Sequence, residues 1–394
     1  MRSRRRHSRR ILRRLLGVGA IPRMRPDKAL RARSVLRSWG LTPAAAYAVG
    51  AVRCPGRAAI IDELGTLTFS EVHRRTDALA HALRATAIDD RDTVAIMCAN
   101  HRGFIEASVA CSKLAADILY LDPEAGSAVL AETVRRENPR LLIYDEEFSE
   151  LLRPLGHGRK RLIAWCDADR TPRHPLLEEL IANAGPVTLR AAETPTHSTV
   201  TLACRGAQGT SRTPHRLPGS LLTPGAVCSR IPLRPRETTM IAAPMFDPCG
   251  FLHLTLALRL TSTLVLCRKF DPVEALAALD RHKITAIALL PEMLARIMEL
   301  PKETLAWYQT DALRVIALKG PSLPGELAIA AMSRFGDVLY NLRGHTVIRL
   351  ETGWPWPTPS ISHAAHSAAT VRPALSRPST LATVREPTMQ GESA

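Results

Sequence analysis

No run of about 18 apolar residues occurs anywhere in the 394-residue chain, so the sequence offers no membrane-spanning helix. No Cys-x-x-Cys pair is found among the eight cysteines, which are scattered along the chain. This predicts free, mostly buried thiols in a reducing cytoplasm rather than a disulfide framework or a zinc site. No Gly-Lys-Ser/Thr follows a glycine-rich loop, which excludes a Walker phosphate loop. Acidic residues are nearly absent from residues 1–37, where Asp27 stands against 14 Arg and Lys, so this stretch carries +13 of the total +16. The rest of the chain is close to neutral. No aromatic residue is interleaved with that basic stretch, and no nucleic-acid partner is expected. Ile11, Leu12, Leu15 and Leu16 recur there at helical spacing between arginines. The pattern leaves two readings open, a peripheral contact with an anionic membrane surface and a solvated basic leader. Arg9-Arg10 lies before only seven apolar residues, Leu15 to Ile21, too few for an export signal.

What is present is an alternation. From about residue 58, short apolar runs at 93–98, 118–121 and 140–144 alternate with amphipathic stretches at 68–84, 102–116 and 127–137. The second half repeats the pattern, with strands expected at 238–243, 262–266, 286–290, 313–318 and 338–342 and helices at 271–282, 292–300 and 324–335. Strands apolar on both faces and separated by helices predict an α/β fold of mostly parallel sheets flanked by helices. Ligands of such sheets sit beyond the carboxyl ends of the strands. Residues 150–196 are less regular and are expected to join two halves. Residues 353–394 hold six prolines, much Ser, Thr and Ala and no apolar period, and are expected to be disordered.

The run Thr201 to Arg216 reads as a short strand entering a loop with Gly206, Gly209, Thr210, Ser211 and Arg212. Glycines let backbone N–H groups converge on an anion, hydroxyls add donors and the guanidinium can pair with phosphate. By itself the loop reads as an ordinary turn sooner than as an anion site. His101 to Glu106 has a His-x4-acid spacing but reads as the start of a core helix, and Asp145-Glu146-Glu147 reads as a solvated turn.

From about Pro55 to Leu342 the chain resembles the AMP-forming acyl-CoA synthetases, fatty-acid–CoA ligases of the adenylate-forming superfamily. The matching stretches are Arg57-Ala58-Ala59-Ile60-Ile61-Asp62-Glu63-Leu64-Gly65-Thr66-Leu67-Thr68-Phe69, Asn100-His101-Arg102-Gly103-Phe104 and Leu313-Arg314-Val315-Ile316-Ala317. Gly320-Pro321-Ser322-Leu323-Pro324 and Phe335-Gly336-Asp337-Val338-Leu339-Tyr340-Asn341-Leu342 complete them. Arg25-Pro26-Asp27 and Trp39-Gly40-Leu41-Thr42-Pro43 resemble leaders of actinobacterial members.

The resemblance implies ATP-dependent activation of a fatty acid through an acyl-adenylate to acyl-CoA, with ATP, Mg²⁺ and CoA as cofactors. It aligns Gly206, Gly209, Thr210 and Arg212 with the phosphate loop, Gly320, Pro321 and Ser322 with the segment beside the adenine, and Gly344 and Thr346 with a Tyr-Gly-x-Thr-Glu signature. Phe246, Gly250 and Phe251 align with the acyl pocket. The chain departs from the pattern at Arg205, Ala207 and Gln208, where hydroxyls are usual, at Ser211 for proline and at Asp247. It departs again at Arg343, where an aromatic is usual, and at Val347, where the family has a Mg²⁺-binding glutamate. Nothing after Glu351 resembles the family's ribose-binding aspartate, hinge or small lobe with its lysine. The expectation is therefore a basic leader at 1–50, a large AMP-binding N-terminal lobe at 51–350 and a tail at 351–394, with the C-terminal lobe missing. An inactive remnant that binds at most nucleotide or acyl ligand is the alternative function.

Overall fold

The computed structural model describes residues 25–349 apart from 41, 157, 190–198, 204–214, 219–230, 320–322 and 344–345. Two helices come first, α1 (Pro26–Trp39) and α2 (Pro43–Arg53). Both have proline in the first turn, where its missing N–H costs nothing, and Thr42 caps α2 by accepting the Ala45 N–H at 3.2 Å. Ala44, Ala45, Tyr47 and Ala48 of α2 are buried. The leader boundary expected at residue 50 therefore falls inside a core helix.

The hairpin β1 (Ala58–Asp62) and β2 (Gly65–Thr68) leads into α3 (Phe69–Ala85). That helix starts where it does because Thr68 and Glu71 form a reciprocal capping box, Thr68 Oγ1 accepting the Glu71 N–H and the Glu71 carboxylate accepting the Thr68 N–H at 2.7 Å. Next come β3 (Thr93–Met97), α4 (Arg102–Leu114), β4 (Asp117–Leu121), α5 (Ser127–Glu137) and β5 (Leu141–Asp145). The expected connector at 150–196 is more structured than its composition suggests. It contains β6 (Lys160–Trp165), paired in parallel with β5, and α6 (Leu177–Asn183). With β7 (Thr199–Ala203) and β8 (His215–Pro218) these strands form a six-stranded sheet in the order β6-β5-β3-β4-β7-β8, in which β8 alone runs antiparallel to its neighbour.

The second half supplies β9 (Thr238–Ile241), α7 (Pro248–Leu260), β10 (Thr263–Leu266), α8 (Pro272–Arg281), β11 (Ala286–Leu289), α9 (Pro291–Met298) and α10 (Lys302–Trp307). After these come β12 (Val315–Lys319), α11 (Gly325–Phe335), β13 (Leu339–Arg343) and β14 (Thr346–Arg349). Together with β1 and β2 they make an eight-stranded sheet, β14-β13-β12-β11-β9-β10-β1-β2, parallel except at its two outer strands.

Both sheets are covered on both faces, and the strand period shows it. Val94 and Ile96 of β3 enter one core with Leu79, Leu83, Phe104, Ile241 and Leu264, whereas Ala95 and Met97 enter another with Leu130, Val134 and Leu142. The first core lies between the two sheets and holds α3, α4 and residues of α7. A further core packs Met240 and Val265 against Leu276, Leu294, Ile297 and Met332 from α8, α9 and α11. The result is a layered α/β fold of helices, sheet, helices, sheet and helix. No helix among the described residues is long and apolar enough to cross a membrane.

Candidate functional site

Contacts between the two sheets gather just beyond the carboxyl ends of their strands. Asn100, three residues after β3, is 4% exposed and clamps the chain leaving β9. Its amide donates to the Ile241 and Ala243 carbonyls at 3.0 and 2.9 Å, and its oxygen accepts the Met245 N–H at 2.9 Å. Arg102 begins α4 and grips Asp62, the last residue of β1, through its backbone N–H and its guanidinium. Arg268, two residues past β10, donates to Glu147 at 2.7 Å and Asp167 at 2.8 Å, each two residues past β5 and β6, and lies 4.3 Å over the Trp165 ring. The expectation of a solvated turn at 145–147 is overturned. Asp145 is fully buried, accepting the Ala99 N–H at 2.8 Å and facing His101 Nε2 at 2.8 Å, and Glu146 is 4% exposed. Asp145 and Glu147 find partners that lie far away in sequence.

His101 caps α4 as the core-helix reading requires. Its Nδ1 accepts the Gly103 N–H at 3.0 Å, which puts the ring proton on Nε2 facing Asp145. Cys98 lies beside this pair, and the three ligand atoms fall within 4.8 Å of one another. Burial, reinforced by Asp145, pushes the Cys98 thiol well up, so it keeps its proton, and both ring nitrogens of His101 are already engaged. The cluster is a buried latch. The six cysteines among the described residues are free thiols, buried or half-buried.

Phe246, Gly250 and Phe251 lie at the start of α7. Asp247 accepts the Cys249 N–H at 2.6 Å and caps this helix, with Pro248 in its first turn. Gly250 is required by close packing, since a Cβ there would come within 2.1 Å of the Pro244 carbonyl oxygen. Phe251 meets the Tyr120 ring at 5.8 Å, and Phe246 packs on the core between the sheets. Among the described residues, then, Gly250 and Phe251 serve the packing of α7. Burial raises the Asp247 carboxyl above its usual range, opposed by the Cys249 N–H and by Lys319 at the end of β12. Burial, assisted by Asp247, pushes the Cys249 thiol up to about 12. His253, one turn further along α7, is buried, and burial lowers its pKa.

Gly206, Gly209, Thr210, Arg212, Gly320, Pro321, Ser322 and Gly344 lie outside the described residues. Their flanks are described. Leu202 pairs with His215 at the carboxyl end of β7, where β8 runs antiparallel to it. Residues 320–322 come after Lys319 of β12 in sequence and residues 344–345 between the antiparallel β13 and β14, in which Thr346 pairs with Arg343 and Val347 with Leu342. The contacts above match β10 with β5 and β6, and β9 with β3. The next strands along are β11, β12 and β13 on one sheet and β4 and β7 on the other. Asn100, Asp145 and Arg268 escaped the sequence reading as site-building residues. The usable signal was their position one to three residues past, or at the end of, an apolar strand.

The class of fold is the large lobe of adenylate-forming enzymes. Similar structures include the N-terminal domain of FACL13 from Mycobacterium tuberculosis, with a TM-score of 0.68, 14% identity and 78% of each chain covered. The luciferase-like enzyme from the Zophobas morio mealworm matches with a TM-score of 0.66 at 18% identity, covering 79% of this chain and 74% of that one. The chain itself belongs to the AMP-binding enzyme family, which matches residues 48–202 and 218–371. Similar curated proteins include feruloyl-CoA synthase from Amycolatopsis sp, 26% identical over 68% of this chain and 52% of that protein. Another is medium-chain fatty-acid–CoA ligase from Escherichia coli (strain K12), 24% identical over 78% and 56%. The chain spans about half the length of the curated relatives it matches.

Proposed function

We propose that this chain is the acid- and ATP-binding lobe of an AMP-forming acid–CoA ligase, which activates a fatty or aryl carboxylic acid as its acyl-adenylate for transfer to CoA. The observation that carries this reading is the strand order. Continuing the pairing of β9 with β3 along both sheets turns the carboxyl end of β7 toward those of β12 and β13, which supports this reading. In this reading Gly206, Gly209, Thr210 and Arg212 hold the phosphates, Gly320, Pro321, Ser322 and Gly344 flank the adenine, and Thr346 contacts the α-phosphate. Phe246 with the start of α7 borders the acyl group.

Mg²⁺ demands oxygen ligands, and Val347, the residue paired with Leu342, offers none, so the residues at 343–347 do not fit the metal. Charge developing on the reacting phosphate is left to Arg212, Thr346 and loop N–H groups. The losses at Ala207, Gln208 and Val347 favour a second reading, a lobe that binds nucleotide and acid but catalyses little. Acid-dependent exchange of pyrophosphate into ATP, with medium- and long-chain fatty acids and hydroxycinnamic acids, tests both. Losing one oriented donor typically slows such chemistry by about 100-fold or more, so the expected rate lies at least that far below an intact ligase, and Val347→Glu raises it by about tenfold or more. A native rate equal to that of an intact ligase removes the second reading. Failure to bind either ATP or a non-hydrolysable acyl-adenylate mimic removes both readings.

A further inference from the structure

His253 has a ring nitrogen that the described structure does not use. The residue is 3% exposed, and its Nδ1 lies 2.9 Å from the Cys249 carbonyl oxygen one turn back on α7, so Nδ1 carries the proton and donates. Nε2 is buried and has no hydrogen-bond partner among the described residues. The neighbouring groups do not serve it. Asp247 accepts from the Cys249 N–H, and the Cys249 thiol lies on the Nδ1 side at 4.0 Å. Burial keeps the ring neutral, with Lys319 acting in the same direction against the opposing pull of the Cys249 carbonyl. Nε2 is therefore a lone pair directed into the interior with no donor to meet it among the described residues, a costly arrangement that native structures rarely leave unanswered.

We propose that His253 Nε2 accepts a hydrogen bond from a hydroxyl or N–H group on the acyl portion of the bound acid. The acids this chain takes are then hydroxy- or amino-substituted ones rather than plain hydrocarbon acids. The inference rests on the acid-binding reading of the α7 edge given above. A site with a committed acceptor discriminates against an analogue lacking the donor, because the acceptor is then buried unpaired. The expected preference is roughly 10- to 100-fold.

The test is calorimetric titration of the full chain with sulfamoyl-adenosine mimics of four acyl-adenylates, arranged as two matched pairs. The pairs are 4-hydroxycinnamoyl with cinnamoyl, and 10-hydroxydecanoyl with decanoyl. One hydroxylated probe is expected to bind roughly 10- to 100-fold more tightly than its parent. His253→Leu should abolish that preference without weakening the parent, and His253→Gln, whose amide oxygen accepts, should restore part of it. In the unsubstituted chain the His253 Nε2 nitrogen resonance should also move with the hydroxylated probe and not with its parent, a readout that does not depend on the variants folding. Equal affinity within both pairs overturns the proposal and means that water alone serves Nε2. A preference that survives in His253→Leu also overturns it. Binding of none of the four probes overturns the acid-binding reading itself, an outcome distinct from equal binding.

Discussion

Two stretches of the same carboxyl edge differ sharply. Where β3, β5 and β6 meet β9, β10 and β1, the junction is densely bonded: Asn100 takes up backbone groups of the chain leaving β9, Asp145 holds the cap of α4, and Arg268 pairs with two carboxylates and an aromatic face. Further along, at the loops after β7, β12 and β13, the sequence carries Ala207, Gln208, Arg343 and Val347 where the family resemblance calls for hydroxyls, an aromatic and a carboxylate. On the proposed reading, the contacts that join the sheets are not those that would touch a phosphate, so stability and chemistry should be separable in this chain.

Changes at this junction should cost fold stability, and the largest effect belongs to Asp145. Asp145→Ala leaves the Ala99 N–H and His101 Nε2 buried without an acceptor, and denaturant unfolding should show a loss of about 3–5 kcal/mol. Asn100→Ala should cost about 2–4 kcal/mol in the same experiment, with binding of an acyl-adenylate mimic by the folded protein nearly unchanged. A loss in mimic binding with stability unchanged would show that the two stretches are not separable.

Acid sensitivity sharpens the comparison from inside the framework. His73 sits against Lys113, whose Nζ is 3.3 Å from its Nδ1, and near Asp77 at 3.7 Å. Burial, then Lys113, lower its pKa from 6.5 to about 4, with Asp77 opposing. The unfolded chain therefore takes up this proton first, and stability should fall as pH drops from 6.5 towards 4, by on the order of 2 kcal/mol. His73→Asn should flatten that part of the pH–stability curve without changing nucleotide binding. The smallest effect expected is at the start of α7. Asp247→Ala removes the cap and should cost about 1 kcal/mol, read as a small shift in the unfolding midpoint.

Much of the fold was legible because its strands are apolar on both faces. The helix at 127–137 was read to the residue, and the strand expected at 93–98 ends one residue earlier, at Met97. The first two helices were hidden by the arginines before them, although Thr42-Pro43 is a helix-start signal followed by the small residues that pack α2. Asp247-Pro248 is a similar signal for α7. The buried carboxylates at 145–147 were illegible for a different reason. Ala99, His101 and Arg268 are distant in sequence, and only folding brings their donors to Asp145 and Glu147. The same holds for His253, whose unpaired nitrogen has no signature in a string of letters.

The central claim is that the loops after β7, β12 and β13 form one nucleotide site at the open part of the carboxyl edge. Hydrogen–deuterium exchange with and without a non-hydrolysable acyl-adenylate mimic tests it most directly. Protection should rise together in peptides spanning residues 204–214, 319–323 and 343–347, with little change around 145–167. Protection confined to a single one of these loops, or found in none of them while the mimic is bound, would contradict the account.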